Sequence, residues 1–301
     1  MRFDWYQGTI KDDVKSVIAS LAGSNYTVRQ DCDSTAKQYF YENGFTISNP
    51  ATSEHFRVFG GGKNGKTGTH FIATSDTAQA VCNAVRSTWP EDHHVTRADA
   101  CQDLHGSKLF KTVVKSSRKI AAKYKLSSQY IHDPINELAG ATQYLGAPSS
   151  DYRGRAYQKA LEVRAKAIKT LRRESPDIDA EAFLESFRYI MPDGSAVDPR
   201  DVVRIEAQIR PRTPEGKHIL ATATPDQCFG FSPWLQDWGR ILLSLSAEKL
   251  DIRGKKVSDF DHKCEWMVKQ YHPVLTEIID SYGVDGTGAF IQHLLAKYHQ
   301  K

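Results

Sequence analysis

The chain has 301 residues, of which 40% are apolar and 25% charged, and its 40 Lys or Arg against 36 Asp or Glu leave a formal net charge of +4. That composition excludes wholesale disorder and is enough for one large domain or two fused ones. The mild basic excess permits a polyanionic partner without requiring one, so the placement of charge matters more than its total.

No segment approaches the ~20 apolar residues of a membrane span, and the opening Met1-Arg2-Phe3-Asp4-Trp5 has no apolar run of signal-peptide length. Cys32, Cys82, Cys101, Cys228 and Cys264 are odd in number and scattered, with neither zinc nor disulfide spacing. They point to a reducing cytosol.

Taken in chain order, Phe3 to Ile10 reads as an opening strand and Lys11 to Leu21 as an amphipathic helix with Val14, Val17, Ile18 and Leu21 on one face. Strand-like runs follow at 37–48 and 54–59. Residues 60–67, Gly-Gly-Gly-Lys-Asn-Gly-Lys-Thr, satisfy the phosphate-loop pattern G-x-x-x-x-G-K-[ST]. That pattern works only when a helix follows at once, because the helix N-terminus supplies donors and dipole to the phosphates. Here Thr69 to Thr74 is β-rich and the helix starts near Asp76, so a hairpin is expected and an ATPase is the weaker reading.

Next comes the stretch from His93 to Leu104. Side chains alternate along a strand, so Arg97, Asp99, Cys101 and Asp103 share one face. Residues 203–210 repeat the design, with Val203, Ile205, Ala207 and Ile209 on a dry face and Arg204, Glu206, Gln208 and Arg210 on a polar one. The two polar faces are expected to meet and hold a divalent metal between Asp99 and Glu206. His93 and His94 are expected to cap the first of these strands.

Lys108 to Lys125 contains seven Lys or Arg and no acid, with Phe110, Val113, Val114, Ala121 and Tyr124 at helical spacing. Like charges without a neighbouring carboxylate repel one another, which favours contact between this helix and phosphates through Lys111, Lys115, Arg118 and Lys119. A strand is expected at 143–146. After it, Arg153, Arg155, Tyr157 and Lys159 alternate onto one face, and a second basic helix runs from about Leu161 to Arg173. A short helix at 179–190, turns at 191–199, a loop through Pro214-Glu215-Gly216 and helices at 225–250, 260–282 and 286–298 complete the chain. Each half of the first 210 residues offers a polar-faced strand and a basic helix, which suggests two sheet-and-helix halves.

Several of these stretches together resemble the replication initiation factor family, the rolling-circle initiators of certain plasmids and filamentous phages. Asp4-Trp5 resembles the family's "DW", and Val95-Thr96-Arg97-Ala98-Asp99 with Asp103 its "vTRxDxxxD" strand. Tyr144-Leu145-Gly146 with Ser149 or Ser150, then Arg155-Ala156-Tyr157-Gln158-Lys159 and Glu162, is similar to "YxGsxxS…RxYdKxxE". Val203-Arg204-Ile205-Glu206 with Arg210-Pro211 resembles "vRiEvqlrP", Phe229 to Trp234 a "wGxSpW" signature, and Lys269-Gln270-Tyr271 an "xQYg" motif. Gln158 stands where the pattern has an acid, and His272 where it has Gly.

The resemblance implies an enzyme that binds a double-stranded origin and cuts one strand by tyrosine attack, staying joined to the 5′ end. It implies Mg²⁺ or Mn²⁺ held by Asp99, Glu206 and a third ligand, Asp103; phosphate binding by Arg97, Arg204 and Lys159; DNA contact by Arg155; and Tyr271 as nucleophile, with Tyr157, Tyr124 and Tyr282 as alternatives. Origin DNA and the nicked single strand are the implied partners, with a host helicase and a homodimer as further options and no membrane. The fold implied is α+β, with antiparallel β-sheets, in two related HUH-like halves if the duplication holds, packed with helices. The nicking domain is expected over 1–215 and a helical region over 216–301. A relaxase of a conjugative element and a non-catalytic DNA-binding regulator are the alternatives.

Overall fold

The computed structural model describes residues 1–31, 36–37, 39–52, 54–63, 68–132, 140–175, 179–250 and 259–299. Ten strands form one antiparallel sheet: β1 (Arg2–Ile10), β2 (Thr27–Gln30), β3 (Tyr41–Ser48), β4 (His55–Gly62), β5 (Thr69–Thr74), β6 (His93–His105), β7 (Ser128–His132), β8 (Ala141–Leu145), β9 (Tyr152–Tyr157) and, after the small pair β10 (Tyr189–Ile190) and β11 (Ala196–Val197), β12 (Val202–Ile209). Their order is β2-β3-β4-β5-β1-β6-β12-β9-β8-β7. The expected α+β class holds. The two expected halves are one continuous sheet, and β6 and β12, the two polar-faced strands, lie side by side where those halves join.

The helices follow from local capping and apolar spacing. They are α1 (Val14–Leu21), α2 (Asp76–Thr88), α3 (Leu109–Tyr124), α4 (Lys159–Glu174), α5 (Ala180–Ser186), α6 (Pro214–Thr222), α7 (Pro233–Leu243) and α8 (Asp259–His299). Asp13 caps α1 by accepting from the Lys15 and Ser16 amides. Pro214, expected in a loop, instead opens α6: Thr213 accepts from the Gly216 amide, and proline at the first helical position gives up no needed hydrogen bond. Ser232 and Pro233 start α7 in the same way.

One face of the sheet carries the core. Phe3, Tyr6 and Ile10 of β1, Ala98 and Ala100 of β6, and Val203, Ile205 and Ile209 of β12 pack there against Val17, Val81, Val85, Val113, Ile120, Leu220, Trp234 and Trp238 from the helices. Gly154 of β9 lies under the tryptophans, and a Cβ there would stand 3.1 Å from Trp238. The opposite face takes α4, which packs on β12. All eight residues of β12 are buried, so its polar side chains lie inside the protein.

β4 and β5 pair as an antiparallel hairpin, as expected, and residues 64–67 of the phosphate-loop pattern lie outside the described residues. The first compact unit runs over Met1–Arg253, beyond the expected boundary at 215, because α6, α7 and the 3₁₀ turn Gln227–Phe231 supply Leu220, Phe229 and Trp238 to the core. The second unit, Gly254–Lys301, is described over Asp259–His299, which is helical. Gly283 (φ 69°, ψ 170°) interrupts α8, close to the break expected between its two segments. No helix among the described residues is long and apolar enough to cross a membrane.

Candidate active site

Register aligns the polar side chains of four strands into rows. Trp5 of β1, Asp99 of β6, Gln208 of β12 and Arg153 of β9 form one row. Cys101, Glu206 and Arg155 form the next, and Asp103, Arg204 and Tyr157 the third. A bulge between Phe3 and Trp5 lets Asp4 reach this side of the sheet as well.

Asp99 and Glu206 are brought together. Both accept from a single nitrogen, Gln208 Nε2, at 3.2 Å (Asp99 Oδ2) and 3.3 Å (Glu206 Oε1). Asp99 is 2% exposed and Glu206 not at all. Arg97 forks onto Asp99, with Nε donating to Oδ1 at 2.9 Å, and lies 3.9 Å above the Trp5 ring. Arg155 donates to Glu206 Oε2 at 2.6 Å and lies 4.4 Å from the centre of the Tyr157 ring. Burial pushes the Glu206 carboxyl up to about 7 against the pull of Arg155, and the nearby Asp99 charge pushes the same way. Glu206 can therefore exchange a proton near neutral pH.

Asp103 and Arg204 form a separate, closed clamp. Arg204, 1% exposed, donates from Nε and Nη2 to Asp103 at 2.6 and 2.8 Å and from Nη1 to Asp4 at 2.7 Å. Arg2 and the Tyr189 hydroxyl add to Asp103 at 3.4 and 3.2 Å. Burial alone would raise Asp103, but the Arg204 hydrogen bonds and charge hold it below the usual carboxylate range. This corrects two expectations. Asp103 lies four residues along β6 from Asp99 and pairs with Arg204, Arg2 and Tyr189, so it stands apart from Asp99 and Glu206 and not beside them as a third ligand. Arg204 is 1% exposed and spends bonds from all three guanidinium nitrogens on Asp103 and Asp4, so it serves these carboxylates and is shielded from a phosphate.

Arg155, expected at a DNA surface, instead faces inward to Glu206, because its row alternates with Gly154 on the core side. Lys159 opens α4, pairs with Glu162 at 3.2 Å, and lines a cavity of about 510 Å³ with Arg2, Asp4, Lys166, Tyr189 and Arg204. Lys111, Lys115, Arg118 and Lys119 lie on the outer side of α3, in a region of their own. Lys123 of the same helix is tied to Asp237 of α7, a partner invisible in the local sequence.

Two cations at the centre were not singled out from the sequence. Arg153 and Arg210 have no carboxylate partner among the described residues, and the Nε atoms of Arg153, Arg155 and Arg210 are buried without a hydrogen-bond partner. Arg153 lies 3.9 Å above the Tyr144 ring. Burial and the nearby Arg97 push Arg210 below the usual guanidinium range. The signal was present, since both residues alternate in phase with Arg155 and Glu206. Around two carboxylates stand four guanidiniums, two of them in no salt bridge among the described residues, so the centre carries an excess of positive charge.

The same centre also carries oxygen donors that a hard cation would use. Gln208 Oε1 is buried with no hydrogen-bond partner, and half a turn of the amide would bring that oxygen toward both carboxylates. Asp99, Glu206 and Gln208 then make an all-oxygen donor set of the kind Mg²⁺ and Mn²⁺ take. No group of three or more His, Cys, Asp or Glu converges for a metal among the described residues.

The tyrosines differ in availability. Tyr271, in the C-terminal unit, is 49% exposed, and Tyr282 there stacks on Phe290 at 4.6 Å. Tyr124 donates to Asp237 at 2.7 Å. Tyr157 is buried beside Glu206, and burial followed by that carboxylate raises its phenol well above the usual range.

No protein-family model and no curated protein matches this chain. Among solved structures, a rolling circle replication initiator protein from Geobacillus stearothermophilus is similar over 82% of this chain and 97% of its own, at 16% identity and a TM-score of 0.46.

Proposed function

We propose that this chain nicks and rejoins one strand of double-stranded origin DNA through a 5′-phosphotyrosine intermediate, as a rolling-circle replication initiator. The observation that carries the reading is convergence. The segments resembling initiator motifs, at Asp4-Trp5, Arg97 to Asp103, Arg155 to Lys159 and Arg204 to Arg210, lie up to two hundred residues apart, yet they supply one polar face on adjacent strands.

In this mechanism Arg153 and Arg210, which form no salt bridge among the described residues, bind and orient the scissile phosphate and spread the charge that builds on its oxygens, while Arg97 and Arg155 hold Asp99 and Glu206 in place. Asp99, Glu206 and Gln208 would hold a divalent cation. When bound, that cation supplies further charge neutralisation at the phosphate. The nucleophile is Tyr271, whose oxygen forms a bond to phosphorus as the 3′-oxygen leaves. Its phenolic proton passes to a base as the bond to phosphorus forms, and a proton reaches the departing 3′-oxygen, so that the free 3′-hydroxyl is the leaving group. Arg204 and Asp103 act in position only, fixing β6 against β12 so that Asp99 and Glu206 stay in reach of Gln208. A transfer-origin relaxase would use the same chemistry on a different DNA site.

The test is incubation with supercoiled origin plasmid and Mg²⁺ or Mn²⁺, followed by mapping of the DNA-linked peptide. Open-circular product joined to the peptide containing Tyr271 is expected, and Tyr271→Phe should lose the adduct while keeping origin binding. Adduct formation by Tyr271→Phe would move the role to another tyrosine. One observation favours a second reading, a non-catalytic DNA-binding regulator: Asp99 and Glu206 are each already neutralised by an arginine. Binding without nicking would select it.

A further inference from the structure

A groove of about 620 Å³ runs along the outer side of α3. Its floor is Phe110, Val114 and Ala122, and its rim is Lys111, Lys115, Arg118 and Lys119, with Tyr130 of β7 closing one side. None of these four cations has a carboxylate partner among the described residues, whereas Lys123 on the same helix does. β7 is the last strand in the sheet order, and all five of its residues are exposed.

The aromatic arrangement identifies the ligand. Tyr130 is 44% exposed, lies 6.5 Å from Phe110 and stacks nearly parallel to His132, with ring centres 6.3 Å apart and planes 13° apart. The Arg118 guanidinium stands 5.5 Å from the Tyr130 ring. An exposed tyrosine on an edge strand buries little and contributes little to the core. A π-face presented beside unpaired cations is the pattern that takes a nucleobase with its phosphate alongside. Bases inside a duplex are already stacked on both faces and offer only their edges, so a ring of this kind serves unpaired bases.

We propose that the groove between α3 and β7 binds single-stranded DNA, with Tyr130 stacking on a base and Lys111, Lys115, Arg118 and Lys119 following the phosphates. The choice of DNA over RNA rests on the nicking function proposed above; the preference for an unpaired strand rests on the groove itself. A nicked duplex yields such a strand, and the groove gives it a place other than the central site.

The experiment is fluorescence anisotropy on the full chain in EDTA, where nicking is silent, with a labelled dT12, the matching 12-base-pair duplex and U12 as probes. The groove predicts dT12 bound more tightly than the duplex, a roughly tenfold loss for dT12 in Tyr130→Ala, near-normal binding in Tyr130→Phe, and little change in duplex binding by either variant. Duplex affinity equal to that for dT12, or Tyr130→Ala binding dT12 normally, would overturn the single-strand assignment. U12 bound as tightly as dT12 would overturn the choice of DNA while leaving the strand preference standing. Because no cleavage is read, loss of nicking in other assays leaves these outcomes unaffected.

Discussion

At the centre of the sheet Arg97, Arg155 and Arg204 each sit on a carboxylate, whereas in the groove beside β7 Lys111, Lys115, Arg118 and Lys119 meet none. The difference lies in burial. Burying a guanidinium without a partner is costly because the charge loses its water, and Arg204, the most buried of the three, is held by two carboxylates. A surface cation keeps its water and can wait for a phosphate. Counting Lys and Arg along the chain therefore says less about DNA contact than knowing which of them a carboxylate has already taken.

The sharpest break in this comparison comes from removing one charge on each side. Arg204→Met strands Asp103 and Asp4 in the interior and should destabilise the fold by about 3–5 kcal/mol in urea titrations. Lys115→Gln, in the groove, should stay within about 0.5 kcal/mol of the parent. Equal effects would mean that the two regions are not different in kind.

Glu206 sharpens the contrast through pH. Its folded carboxyl is raised from 4.5 to about 7, so the native state holds a proton that the unfolded chain has released. The stability it contributes is present below about pH 4.5 and is lost as pH rises toward 7. Glu206→Gln should lose this limb and gain on the parent across that window by up to roughly 3 kcal/mol, read from thermal melts in pH series. Parallel curves for parent and variant would place the Glu206 titration elsewhere.

On the groove side, replacing Lys115, Arg118 and Lys119 together by Gln should leave melting unchanged and reduce the slope of log K against log salt for single strands by about 2. An unchanged slope would make them a solvated helix face. The smallest effect concerns support for the centre from the other face of the sheet. In Gly154→Ala a methyl group would press on Trp238 and should cost on the order of 1 kcal/mol, with Arg155 still paired to Glu206.

Much of this was legible in the sequence. The alternation at 97–103 and 203–210 announced two strands with polar faces, and the absence of a helix after residues 60–67 announced a hairpin. Pairing was not legible. Nothing local says that Arg204 spends its nitrogens on Asp103 and Asp4, or that Asp237 tethers Lys123, because those partners come from register and tertiary packing. The same limit hid Arg153 and Arg210, whose uncompensated charge emerges only once the nearby carboxylates are assigned to other arginines. Pro214 misled for a different reason: it reads as a loop residue until Thr213 is recognised as its cap.

The central claim is that Asp99 and Glu206 form one centre acting on a DNA phosphate. The most direct measurement is the yield of covalent protein–DNA adduct on supercoiled origin plasmid in Mn²⁺ by Asp99→Asn and Glu206→Gln, compared with the parent at matched folded fraction. Loss of adduct by at least a hundredfold in both variants, with origin binding retained, is the predicted result; adduct at the parent level in both would contradict it.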